Sequence, residues 1–80
     1  MSRLHYTIKM SIAKIFAENL RGLRESKNLT QAQLSERLNY KSRTVVTNWE
    51  SGRIVPDIEN LIVLAKFFGV TIDYLVGIEG

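Results

Sequence analysis

Five residues within a span of nine, Arg43, Thr44, Thr47, Asn48 and Ser51, offer a guanidinium, an amide, three hydroxyls and two methyl groups. Together they can donate, accept and make apolar contact, which is what reading base edges in a DNA major groove requires. Arg43 suits the two acceptors of guanine, and Asn48 the acceptor–donor pair of adenine. Thr44 and Thr47 suit thymine methyls or phosphate oxygens. Lys41 and Ser42 just before this set, and Ser51 and Arg53 at its end, are candidates for the sugar–phosphate backbone, which positions a protein without specifying sequence. Other chemistries find little support. There is no nucleophile–base set, no paired carboxylates and no Gly-rich phosphate loop, so no enzyme is expected. His5 is the single histidine and cysteine is absent. Metal ligation, disulfides and nucleophilic catalysis are therefore not expected, and no cofactor is implied.

The polar set needs a short helix presented by a second one, and Thr30 to Gly52 supplies the signals for both. Thr30 is a good N-cap, and Gln33 three residues on completes a capping box. Leu34 and Leu38 share a face at i, i+4, with Ser35 between them small enough for a second helix to approach closely. Asn39 tolerates the left-handed conformation at a helix C-terminus. Ser42 can cap the second helix and Gly52 can end it. Val46 and Trp49, at i, i+3, are the inward anchors, which leaves the polar set pointing outward. Trp49 is read as core because it shares a face with Val46, rather than as a base-stacking residue. Tyr40 in the turn has two readings, contact with phosphate or packing on the first helix of the pair.

This stretch resembles the helix-turn-helix of the phage repressor and Cro-like family of DNA-binding regulators. The resemblance is carried by LTQAQLSERL at 29–38, TVVTNWESG at 44–52 and PDIENLIVLAKFFGVTIDYL at 56–75. Asn39 stands where the family usually has glycine, and the turn is one residue longer, at Tyr40–Lys41. The resemblance implies an all-α fold: a compact, five-helix lambda-repressor-like domain with helices 2 and 3 as the helix-turn-helix. It also implies that Arg24 pairs with Glu50 to brace helix 1 against the recognition helix. Gln31, at the N-terminus of helix 2, is expected to hold a phosphate as the matching Gln does in the family, where a helix N-terminus already favours anions.

Eighty residues bound the chain to one small domain. Its charge is uneven. Residues 1–53 hold ten Lys/Arg against four Glu, a net of +6, whereas residues 54–80 carry −3. The basic part contains the helix pair, so a polyanionic partner fits that side. No signal-peptide run and no stretch of membrane-span length appears, and a soluble cytoplasmic protein is the expectation.

The remaining elements follow from periodicity and caps. Residues 1–10 read as an N-terminal arm, either frayed or forming a short strand through the alternation of Leu4, Tyr6 and Ile8. Met10 is an alternative start. The domain proper is expected over 11–76, with 77–80 as a tail. Helix 1 is expected from Ser11 to about Lys27, with Ile12, Phe16, Leu20 and Leu23 on its inner face. Asp57 after Pro56 should cap helix 4, which Gly69 closes. Its inner stripe is Ile58, Leu61, Ile62, Leu64, Ala65 and Phe68. Residues 72–76 read as a last helix capped by Thr71.

The resulting expectation is a sequence-specific regulator of transcription, acting as a repressor that binds a palindromic operator on double-stranded DNA as a homodimer. Val63 and Phe67 lie opposite the inner stripe at i, i+4, and with Val70 and Tyr74 they form the expected dimer surface. Burial of Phe67 within its own chain is the alternative. The family's dimer contacts lie near this end of the domain. A protein-interaction module on the same scaffold, such as an antitoxin or coactivator-like bridge, is the competing function. A protein antirepressor or a toxin would be its partner.

Overall fold

Five helices follow one another, α1 (Ser2–Ser26), α2 (Gln31–Arg37), α3 (Thr44–Glu50), α4 (Ile58–Phe68) and α5 (Ile72–Val76), with no strand among the described residues. The structure is a computed structural model. It describes the backbone of residues 2–78 and the side chains of 12–78. The all-α, lambda-repressor-like expectation holds, and the short helices start and stop where their caps direct. Thr30 accepts from the Gln33 N–H at 3.0 Å while the Gln33 side chain accepts from the Thr30 N–H at 2.8 Å. Asp57 and Thr71 cap α4 and α5 in the same sense. Asn39 adopts φ +66°, the conformation for which the family's glycine is the usual residue.

The N-terminal segment departs from expectation. Residues 2–10 are helical, not an extended arm or strand, and α1 begins at Ser2. The alternation of Leu4, Tyr6 and Ile8 misleads because Leu4 and Ile8 are also i, i+4. No Gly or Pro separates them from Ser11, and a helix that is already nucleated gains a hydrogen bond with each residue added. At about 1.5 Å per residue α1 is roughly 37 Å long. It defines the long axis of a molecule measuring 41 × 22 × 22 Å.

The C-terminal half of α1 is the spine of the core. Phe16 and Leu20 are fully buried among Leu34, Val46, Leu64 and Leu75, so every other helix contributes to one cluster around it. The helix is also fastened at the other end of the domain. The Asn19 amide donates to the carbonyls of Tyr74 and Leu75 at 2.9 and 3.3 Å, in the last turn of α5. Along α4 the observed stripe is narrower than expected. Leu61, Leu64 and Ala65 are buried and Phe68 is half-buried, but Ile58 and Ile62 are exposed. Both lie on the flank of the buried arc, and so small a core does not reach around to them.

Ser35 sits where α2 meets α3. It is 2% exposed, and its hydroxyl has no hydrogen-bond partner among the described residues. An unsatisfied buried hydroxyl costs about 1–3 kcal/mol. Ser35→Ala keeps the small volume that the helix approach needs and removes the polar atom. It is expected to stabilise the domain by about 1 kcal/mol in urea denaturation. A destabilised variant would mean that the hydroxyl has a partner, such as a bound water.

Candidate nucleic-acid interface

The site begins with the turn between α2 and α3. After Arg37 the chain reverses through Asn39, with the Asn39 and Tyr40 N–H groups closing onto the carbonyls of Glu36 and Ser35. Tyr40 then packs edge-on against Trp49, ring centroids 5.6 Å apart, and its hydroxyl donates to Asn60. The two expectations for Tyr40 are contact with phosphate and packing on α2; the partners found are instead Trp49 on α3 and Asn60 on α4. The N-cap position of α3 falls on Arg43, which makes no side-chain cap bond, rather than on Ser42; the Ser42 hydroxyl, one residue earlier, accepts from the Thr44 N–H at 3.0 Å and donates to the Thr44 hydroxyl at 2.8 Å. Helix α3 starts at Thr44, two residues after Ser42, despite the lengthened turn.

Helix α3 has two faces. Val46, Trp49 and Glu50 are buried. Arg43, Thr44, Thr47 and Asn48 are exposed, as are Lys41 and Ser42 ahead of the helix and Ser51 and Arg53 behind it. The residues singled out for base and backbone contact are thus gathered on one side of α3 and its flanks. Trp49, at 5% exposure, belongs to the core. The Ser51 hydroxyl donates to the Asn48 carbonyl at 2.6 Å, and accepts the Arg53 N–H at 3.3 Å. Ser51 therefore fixes the exit of the helix as well as lying at its surface.

Behind that face lies a charged network. Arg24 donates from Nε to Glu50 Oε2 at 2.7 Å and from Nη2 to Oε1 at 3.0 Å, a two-pronged pair with Glu50's side chain 1% exposed. The third Arg24 nitrogen, Nη1, donates to the Leu29 carbonyl at 2.7 Å. Arg21, one turn earlier on α1, donates to the Glu50 carbonyl at 3.0 Å. Burial alone would raise the Glu50 pKa. Hydrogen bonds from Arg24 and Gln31, with the charges of Arg24 and Arg21, outweigh it and hold the carboxyl below its usual value. Glu50 is therefore an anion at neutral pH, cancelled from inside, and it leaves the outward face of α3 to its cations.

Gln31 is placed differently from a free phosphate donor. Its side-chain amide donates to Glu50 Oε1 at 3.0 Å and its carbonyl accepts the Thr47 hydroxyl at 2.8 Å. Neither this bridge nor the Arg21 contact is visible in local spacing, since each joins residues on different helices. The faint signal for Arg21 is its i, i+3 position relative to Arg24.

Val63, on the opposite flank of α4, and Tyr74, on α5, are exposed, at 45% and 42%. Phe67 and Val70 are half-buried and pack on the chain's own core. Phe67 stacks edge-on against Phe68 at 4.9 Å, with the Lys27 ammonium 5.8 Å from its ring centre. Part of the expected dimer surface is thus already covered within one chain. Among the described residues no cluster of three or more His, Cys, Asp or Glu is placed to hold a metal. No helix among them is long and apolar enough to cross a membrane.

Known proteins share this arrangement at the level of sequence. A family model described as helix-turn-helix, HTH_3, matches residues 20–75. The HTH-type transcriptional activator BcrR of Enterococcus faecalis is 53% identical over 64 residues, covering 80% of this chain and 31% of that protein. Two HTH-type transcriptional regulators of Bacillus subtilis (strain 168) also match. YqaE is 36% identical over 61 residues, covering 76% of this chain and 52% of its own. YobD is 28% identical over 64 residues, covering 80% and 56%. The chain spans only about a third to just over half of these relatives. No solved structure matches the chain significantly.

Proposed function

From a chain that belongs to the HTH_3 helix-turn-helix family, we propose a sequence-specific binder of double-stranded DNA that regulates transcription in the cytoplasm. The observation that carries this reading is the exposed row Arg43, Thr44, Thr47 and Asn48 on a helix whose inner face is locked by Trp49 and Glu50. In this reading α3 enters the major groove. Arg43 takes guanine and Asn48 adenine. Thr44 and Thr47 complete the base contacts, while Lys41, Ser42, Ser51, Arg53 and the start of α2 at Gln31 meet the backbone. The polar outward face is what favours DNA over a protein partner for α3.

The dimer is part of the proposal. Val63 and Tyr74, with the uncovered edges of Phe67 and Val70, form the face through which two copies pair, and a two-fold pair spans half-sites about one helical turn apart. Occupying a promoter this way represses by exclusion. The printed name of the Enterococcus faecalis relative supports activation as a second reading, which a reporter carrying the selected site separates from the first.

The test is selection of bound duplexes from a random pool at two salt concentrations. Inverted half-sites should emerge, and affinity should fall by roughly one log unit per log unit of salt for each phosphate neutralised. Arg43→Ala and Asn48→Ala should each cost about 1–3 kcal/mol on the selected site and relax one base position. Val63→Asp should remove the preference for a full site over a half-site. Binding that is flat with salt and enriches no sequence would reject the reading.

A further inference from the structure

The Gln31 bridge has a direction, and the direction constrains what Thr47 can read. An ionised carboxylate only accepts hydrogen bonds. Glu50 is held in that state by Arg24 at 2.7 and 3.0 Å. The Gln31 group facing Glu50 Oε1 must therefore be its amino group, since a flipped amide would set two acceptors against each other. That leaves the Gln31 carbonyl facing Thr47, and a carbonyl only accepts. The Thr47 hydroxyl, 2.8 Å away, must spend its one proton there. Polarity thus passes from Arg24 to Glu50, to Gln31 and to the exposed surface of α3.

A threonine hydroxyl ordinarily serves a base edge as donor or acceptor. Thr47 has only lone pairs left to present. We propose that Thr47 is a specificity-determining residue that acts as an obligate hydrogen-bond acceptor, recognising the major-groove amino group of adenine or cytosine, and that Gln31 is the positioning residue that imposes this polarity. The inference rests on the DNA-binding reading above. Carbonyl-bearing edges, thymine O4 and guanine O6, are rejected at this position because two acceptors face each other. Val cannot replace Thr47 here, although it has the same shape. Gln31 contributes to specificity without touching a base, through the proton that it withholds.

The experiment uses the full chain and duplexes built on the selected site. At each adenine or cytosine the amino group is deleted by substituting purine or 2-pyrimidinone. Wild-type affinity should drop about tenfold at the adenine read by Asn48 and at one further position, the one assigned to Thr47. Thr47→Val should lose about the same on the natural duplex and nothing further on the amine-deleted one. Gln31→Met frees the Thr47 proton, so it should bind duplexes with thymine or guanine at that position nearly as well as the selected base. Equal losses for wild type and Thr47→Val at every amine-deleted position would overturn the proposal. So would an unchanged base preference in Gln31→Met. Should Gln31→Met fail to fold, the Thr47→Val comparison decides by itself. A wild-type chain with no sequence preference removes the DNA-binding reading as well, whereas sequence preference without coupling to the amine removes this inference alone.

Discussion

Glu50→Ala is expected to destabilise the domain by about 3–5 kcal/mol, because it strands the Arg24 guanidinium in a site where that residue is only 9% exposed. Total stability for a domain of this size is about 4–12 kcal/mol, so the variant will be marginal or unfolded at 37 °C. Removing both partners, as Arg24→Met with Glu50→Leu, should recover much of the loss, since no uncompensated charge remains. Recovery will be incomplete, because the Leu29 carbonyl and the Gln31 amide each lose a partner. Urea denaturation of the two single variants and the double one measures the coupling. A double variant no better than Glu50→Ala would mean that the hydrogen-bond network, rather than the charge, holds the site.

The same pair makes a prediction in acid. The folded carboxyl titrates below the usual value of 4.5. Its contribution to stability is complete above that value and is lost as pH falls through the lower, folded pKa. The stability gap between wild type and Glu50→Gln should therefore narrow below pH 4.5. A gap that stays constant into acid would show that Glu50 carries no proton-linked stabilisation.

Gly77→Ala is the second large effect, at about 2–4 kcal/mol. Two costs add. Gly77 has φ +80°, which costs a residue with a Cβ roughly 1 kcal/mol. A Cβ there would also lie 2.6 Å from Ile15 Cγ2, and Cγ2 sits on a stiff β-branched stem. Such overpacking costs about 1–3 kcal/mol. Gly69→Ala separates the terms: its φ is +70°, but no atom lies within 4 Å of the added carbon, so only the backbone cost of about 1 kcal/mol should appear. Thermal melts of both variants, and of Gly77→Ala with Ile15→Ala, give the partition. Equal losses at Gly69 and Gly77 would remove the steric term.

Much of this domain was legible in the sequence, because its instructions are local. Thr30 with Gln33, Asn39, Asp57, Gly69 and Thr71 act within a few residues of where they stand, and each places a helix end. Val46 and Trp49 declare the inner face of α3 by spacing alone, and the outer face follows by subtraction. What escaped depends on distance along the chain. The start of α1 hinged on whether anything stops a helix, and Ser11 does not. Ile58 and Ile62 satisfy the helical period, but how far a core wraps around α4 depends on the other four helices. The contacts of Gln31 with Glu50 and Thr47 span 19 and 16 residues, and no periodicity encodes them. The resemblance supplied the Arg24–Glu50 pairing; the residues by themselves did not.

Helix α1 carries Asn19, which grips the end of α5, and within two further turns Arg21 and Arg24, which grip the end of α3. Both grips are on one uninterrupted rod. The surface proposed for pairing and the surface proposed for DNA are therefore indexed to the same ruler, with no hinge between them. Two copies joined at the α5 end would hold their α3 helices at a separation with little play. A site with one base pair inserted or removed at its centre would have to be met by bending the DNA, since the protein offers no joint of its own at which to yield.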